Sequence, residues 1–375
     1  MAAAYERQHK LCSASERGSA SLTVCTKLKL IGGTYDAVVI STDLEPDDIV
    51  AIRALSSKLR GVPLLVVVGE GDQDGKLSMA ADILASCGLR GRLVEGARSS
   101  AKFPPGALST FSSSQVRKDS TVVEGHAHER VAEFLVEHKA PLALLLKPPI
   151  EFAQVPPQLL AKTSAVAYGS FNFVRFREEL GKRSSELLET LIAAFGAFVL
   201  VERSQCVGRE AILSPEQPTV WSLLALDEGL MNLTYMWNDA TVRKTAKHLQ
   251  SLSKQLLAAS DANTSWDAMF KEVAGSYNKS KHSLAILSEI ARLEGQEICL
   301  ADPVVAAILL DDEGLLARFI QPCNLRFGKS GRLRVDRTKA SESRVALLAA
   351  GEEDREVLLK AVIDILAKAL PAAYL

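Results

Sequence analysis

Val38-Val39-Ile40-Ser41-Thr42-Asp43-Leu44-Glu45-Pro46-Asp47-Asp48-Ile49 is the stretch on which the reading of this chain turns. Ala37 to Ile40 is a short apolar run that follows Gly32-Gly33, the pattern of a buried strand. Ile49, Ile52, Leu55 and Leu59 then recur at helical spacing. The quoted segment therefore spans the end of a strand, a tight loop and the start of a helix, with Asp43 just past the strand and Asp47-Asp48 opening the helix. In open α/β sheets the ligand crevice lies at those carboxyl ends. Asp47 and Asp48 alone would be accounted for as a helix cap that also suits the helix dipole. Asp43 at the strand end beside them is not. Carboxylates converging there repel one another, and a hard divalent cation relieves that repulsion; calcium, which accepts several oxygens at flexible angles, suits aspartates plus backbone carbonyls.

Working outward, Leu64 to Val68 is a second apolar run, followed by a polar stretch through Gly75 and a helical pattern over Met79 to Leu84. Further strands are expected at Arg92 to Val94, Leu142 to Leu146, Ala165 to Tyr168 and Ala197 to Val201, with helices over Arg130 to Val136 and Ser185 to Ala194. Continuous apolar strands separated by amphipathic helices predict an open, mostly parallel sheet covered by helices on both faces. Residues 230–297 read as a helical insertion. Ala301 to Leu310 is a strongly apolar helix whose Pro303 falls in the first turn, where proline is tolerated. A small hairpin is expected over Cys323 to Val335 around Lys329-Ser330-Gly331, then a final helix from Arg355 to Leu370. Residues 1–34 read as a loosely ordered tail of low hydrophobicity and mixed charge, and residues 35–375 as a single domain.

The 375 residues are 47% hydrophobic and 24% charged with a formal net charge of -1, so nothing attracts the chain as a whole to nucleic acid or to an anionic membrane. A small-molecule partner is the expectation, with a homo-oligomer left open. The six cysteines are scattered without a C-x-x-C pair, which argues against a zinc site and for reduced thiols in a cytoplasmic protein.

The quoted segment resembles the D-T-D-x-x-x-D-D signature that opens the nucleoside hydrolases, with Ser41 in place of the first acid. Later segments follow in the family's order. Val67-Val68-Gly69-Glu70 is similar to its V-V-G-N, Leu146-Lys147-Pro148-Pro149-Ile150-Glu151 to its L-G-P-L-T-N, and Ser170-Phe171-Asn172 to its E-F-N. Leu300-Ala301-Asp302-Pro303 is similar to its H-D-P, and Arg326 to Arg337 to its closing hairpin. The resemblance implies a nucleoside hydrolase-like fold and a calcium ion held by Asp43, Asp48, Asp302 and the main-chain carbonyl of Ile150. It also implies that Asp43 activates the attacking water and that Asp47 and Asn172 bind ribose hydroxyls; Glu70, an acid where the family has an amide, reads equally as a contact to the metal or a substrate hydroxyl and as a solvated loop acid. The implied activity is calcium-dependent hydrolysis of an N-glycosidic bond in a nucleoside or related riboside, the chemistry of purine and pyrimidine salvage. A second reading is a catalytically degenerate relative that serves as a binding or assembly module. A phosphatase of the haloacid-dehalogenase kind also places an acid after its first strand, but it needs D-x-D where this chain has Ser41-Thr42-Asp43.

The departures bear on substrate. Serine stands for an acid at position 41, glutamate for asparagine at 70, isoleucine for threonine at 150, serine for glutamate at 170 and alanine for histidine at 301. Common ribonucleosides are therefore expected to be poor substrates. His126 and His128, two apart, read as a polar loop without a third metal ligand; Trp221, Tyr235 and Trp237 read as core aromatics in preference to a lid over a base.

Overall fold

The computed structural model describes residues 35–44, 46–69, 73–97, 121–169, 184–202, 301–327, 333–336 and 343–369. The expected tail, the helical insertion, Glu70, Asn172 and the three aromatics fall outside these residues. Strand β1 (Ala37–Thr42) leads into helix α1 (Pro46–Leu59), β2 (Leu64–Val68), α2 (Gln73–Ser86), β3 (Arg92–Glu95) and β4 (Thr121–Val122). Next come α3 (Ala127–Glu137), β5 (Pro141–Leu145), a 3₁₀ turn (Ile150–Gln154), α4 (Pro157–Leu160), β6 (Ser164–Tyr168), α5 (Ser184–Ala194) and β7 (Ala197–Val201). The described chain resumes with α6 (Ala301–Leu310), a 3₁₀ turn (Ala317–Phe319), β8 (Ile320–Pro322), β9 (Asn324–Phe327), β10 (Leu333–Asp336), β11 (Val345–Leu348) and α7 (Glu352–Ala369).

Among these residues nine strands form one sheet in the order β4-β3-β2-β1-β5-β6-β7-β11-β8, parallel throughout except for the edge pair β11 and β8. The expectation of an open, mostly parallel α/β sheet is met. Strands β1, β2, β5 and β7 are buried along their whole length, as a sheet covered on both sides requires. Alternation along β1 divides the core: Val38 and Ile40 face α1, α2, α6 and α7, while Ala37 and Val39 face α3, α4 and α5. The hairpin is present as the antiparallel pair β9 and β10, with Leu333 opposite Phe327 and Asp336 opposite Asn324. Strand β11 was not foreseen, because Val345 to Leu348 runs into Ala-Ala-Gly with no polar boundary of its own. Helix α2 starts at Gln73, well before the apolar repeat that revealed it. Among the described residues no helix is long and apolar enough to cross a membrane.

The strand order reverses at β1. Strands β2, β3 and β4 extend to one side of it and β5, β6 and β7 to the other. In open α/β sheets such a switch point, outside the carboxyl ends of β1 and β5, is where ligands bind. Thr42 and Leu145 end those two strands, so Asp43 follows one of them and the buried Lys147 lies just past the other.

Candidate acid site at the carboxyl edge

Asp47 and Asp48 occupy the first turn of α1, and Asp302 the first turn of α6. Helix α6 packs along α1, and Val304, Val305 and Leu309 join Ile49, Ile52 and Leu55 in one apolar cluster. That packing brings the two helix starts together, and carboxylate oxygens of Asp47, Asp48 and Asp302 lie within 4.8 Å of one another. Asp48 and Asp302 are only 1% and 3% exposed, so water screens this repulsion little. Two helix N-termini, each with unsatisfied N–H groups and the positive end of a dipole, offset part of it.

Asp48 is the focus. Burial, followed by the charges of Asp302, Asp43 and Asp47 and a hydrogen bond with the Asp43 side chain, pushes its carboxyl well above the ordinary carboxylate range. Asp43, half-buried, thus joins the group through Asp48 and stands outside the mutually close trio. The Thr42 hydroxyl donates to Asp48 Oδ1 and accepts the Leu44 N–H at 2.9 Å, tying the strand end to the helix start. Leu44 is itself unusual. Its φ of 54° makes it the sole non-glycine residue with positive φ among those described, and its side chain is fully buried. A left-handed L-residue costs about 1–2 kcal/mol, a strain that persists where surrounding contacts enforce it.

Lys76, in the first turns of α2, was not foreseen. Only 6% exposed, it sends its ammonium to the backbone carbonyl of Asp43. Its sequence context, a lysine shortly after Gln73-Asp74-Gly75, gave no sign of burial.

The other face of the same edge holds a different arrangement. Lys147 Nζ bonds Glu151 Oε1 at 2.6 Å, both side chains being almost entirely buried. The Ala97 N–H donates to the same oxygen at 2.7 Å. Glycines at neighbouring strand ends make the room: a Cβ on Gly69 would come 2.6 Å from Lys147 Cε, and one on Gly96 2.6 Å from Glu151 Oε1. Ile150 opens the 3₁₀ turn between these two residues, its N–H donating to Pro148 O at 2.9 Å and its side chain packed on the α3–α5 core. Ser41, on that face of β1, keeps a buried hydroxyl without a hydrogen-bond partner among the described residues.

Of the residues singled out in the sequence, the fold thus gathers Asp43, Asp47, Asp48 and Asp302 at the carboxyl edge of the sheet. His126 and His128 lie at the start of α3 with rings stacked 5.7 Å apart. The clustered acids are hard oxygen donors of the kind calcium and magnesium take, so the site's chemistry fits a divalent cation. No protein-family model and no curated protein matches this chain. Among solved structures, an inosine-guanosine nucleoside hydrolase (IG-NH) aligns at a TM-score of 0.49 with 13% identity, over 88% of this chain and 98% of that one.

Proposed function

We propose that this chain is a divalent-cation-dependent, most simply calcium-dependent, hydrolase of an N-glycosidic bond in a nucleoside or related riboside. The observation that carries the reading is the convergence of Asp47, Asp48 and Asp302 from two separate helix starts, with Asp43 beside Asp48, at the switch point of the sheet. The order of the sequence motifs that resemble the nucleoside hydrolases supplies the type of bond.

In this proposal Asp43, Asp48 and Asp302 would hold the cation, together with a carbonyl such as that of Ile150. When bound, the cation lowers the pKa of a coordinated water. Asp43 would take the proton of the attacking water, whose oxygen would bond the anomeric carbon while the C–N bonding pair leaves with the base. Positive charge gathers on the sugar as the bond lengthens, and the neighbouring carboxylates stabilise it. Asp47, Asn172 and Glu70 are assigned to the sugar hydroxyls. Ala301 offers no proton to the departing base, so substrates whose leaving group is stable as an anion should react fastest. Turnover of p-nitrophenyl riboside with calcium, lost on chelation and restored on re-addition, is the expected result. Equal turnover in the presence of chelator would remove the metal from the reading.

A second reading, a binding or assembly module that keeps the fold, draws on Ser170 and Ala301, where the motifs lose an acid and an imidazole. Riboside binding by calorimetry without any release of base distinguishes it.

A further inference from the structure

We infer that Lys76 is a positioning residue for the acid site: it pins the peptide unit between Asp43 and Leu44 and so fixes the direction of the Asp43 side chain. The inference rests on the reading that these acids form the working site.

The backbone ladder defines the need for such a residue. Ser41 O accepts the Leu146 N–H at 2.8 Å and Thr42 O the Gly69 N–H at 3.0 Å, so β1 is held by its neighbours up to Thr42. One residue further the sheet ends, and the chain turns through the left-handed conformation of Leu44. The peptide unit in between is gripped at both ends. Its carbonyl, on Asp43, receives the Lys76 ammonium; its N–H, on Leu44, goes to the Thr42 hydroxyl. That hydroxyl in turn donates to Asp48, so one chain of contacts runs from Lys76 through the peptide to the carboxylate at the centre of the cluster.

The location of Lys76 is also costly without such a role. An ammonium near a helix N-terminus faces the positive end of the dipole, and a buried one has lost its water. A surface position on α2 would have avoided both.

Lys76→Met separates positioning from charge. On charge alone, removing a cation beside these acids should tighten calcium binding. If Lys76 positions Asp43, the variant should bind calcium more weakly by about 10–100-fold, the usual effect of losing a residue that orients a ligand. A second readout needs no metal: amide hydrogen exchange at Leu44 in chelator-treated protein. It should accelerate in Lys76→Met while Val39 and Ile40, inside the ladder, stay as protected as in the parent. Should Lys76→Met not fold, Lys76→Gln keeps a polar amide end but reaches less far, and serves the same comparison. Unchanged Leu44 exchange, or calcium binding as tight as the parent's or tighter, would overturn the inference. A parent that binds no divalent cation would count against the metal reading, while the exchange result still decides the role of Lys76.

Discussion

The two faces of one sheet edge solve the burial of charge in opposite ways. On the α3–α5 face, Lys147 and Glu151 neutralise each other at 2.6 Å, with a backbone N–H donating to the same carboxylate oxygen and two glycines clearing space for the pair. On the α1–α6 face, Asp47, Asp48 and Asp302 crowd together with Asp43 against Asp48, and burial pushes Asp48 upward in pKa. The first arrangement balances its charge from within the protein, although Glu151 Oε2 keeps no hydrogen-bond partner among the described residues. The second is incomplete without a proton or a cation, which is the mark of groups kept for chemistry.

The largest effect expected from breaking this comparison falls on turnover. Asp43→Asn removes the proposed base while leaving packing intact, and should lower riboside hydrolysis by about 10²–10⁴. Parent-like rates in that variant would remove Asp43 from the mechanism; a thermal melt of the same sample shows whether it folded.

The ion pair predicts an effect of similar size in stability. Lys147→Met leaves Glu151 buried beside a lost partner and should destabilise the fold by about 3–5 kcal/mol in urea unfolding. Replacing both residues, Lys147→Met with Glu151→Leu, should recover most of that loss, because an apolar pair of similar volume needs no compensating charge. If the single variant unfolds like the parent, the pair is not the structural element described here.

The acid cluster should respond with the opposite sign. The folded-state pKa of Asp48 is raised, so its contribution to stability is fully present below the unfolded carboxylate pKa and is lost as pH rises through the folded value. Chelator-treated protein should therefore lose stability as pH climbs above the ordinary carboxylate range. Asp48→Asn should flatten that slope and make the metal-free protein more stable than the parent at neutral pH. Urea midpoints measured across pH with chelator decide this; a flat parent profile would contradict the raised carboxyl of Asp48.

Leaving-group dependence is a smaller and more selective test. Ala301, and serine at 170, supply neither imidazole nor carboxylate, so p-nitrophenyl riboside should be turned over faster than inosine, uridine, adenosine or guanosine under the same calcium. Efficient hydrolysis of any of these nucleosides, with kcat/KM above about 10⁴ M⁻¹s⁻¹, would show that the substitutions matter less than argued.

Much of the fold was legible because its signals are local. Leu64 to Val68 and Ala197 to Val201 are apolar runs of strand length, and both appear with the expected bounds. Strand β11 was not legible, since its place beside β7 depends on pairing that a short Val-Ala-Leu-Leu run does not announce. Asp43, Asp47 and Asp48 could be read from position alone, as acids following an apolar strand. Asp302 joins them through the packing of α6 on α1, a contact distant in sequence, and only the motif resemblance anticipated it. Lys76 and the Lys147–Glu151 pair left no usable trace. A lysine in a polar stretch reads as solvated, and burial of its ammonium is decided by neighbours the sequence does not put beside it.

The central claim is that the acid cluster is built for a divalent cation, and calorimetric titration of calcium into chelator-treated protein tests it most directly. The account predicts saturable binding that Asp48→Asn abolishes, with stabilisation of about 2.7 kcal/mol at calcium concentrations a hundred times the dissociation constant. Absence of binding by any divalent cation, or binding undiminished in Asp48→Asn, would contradict it.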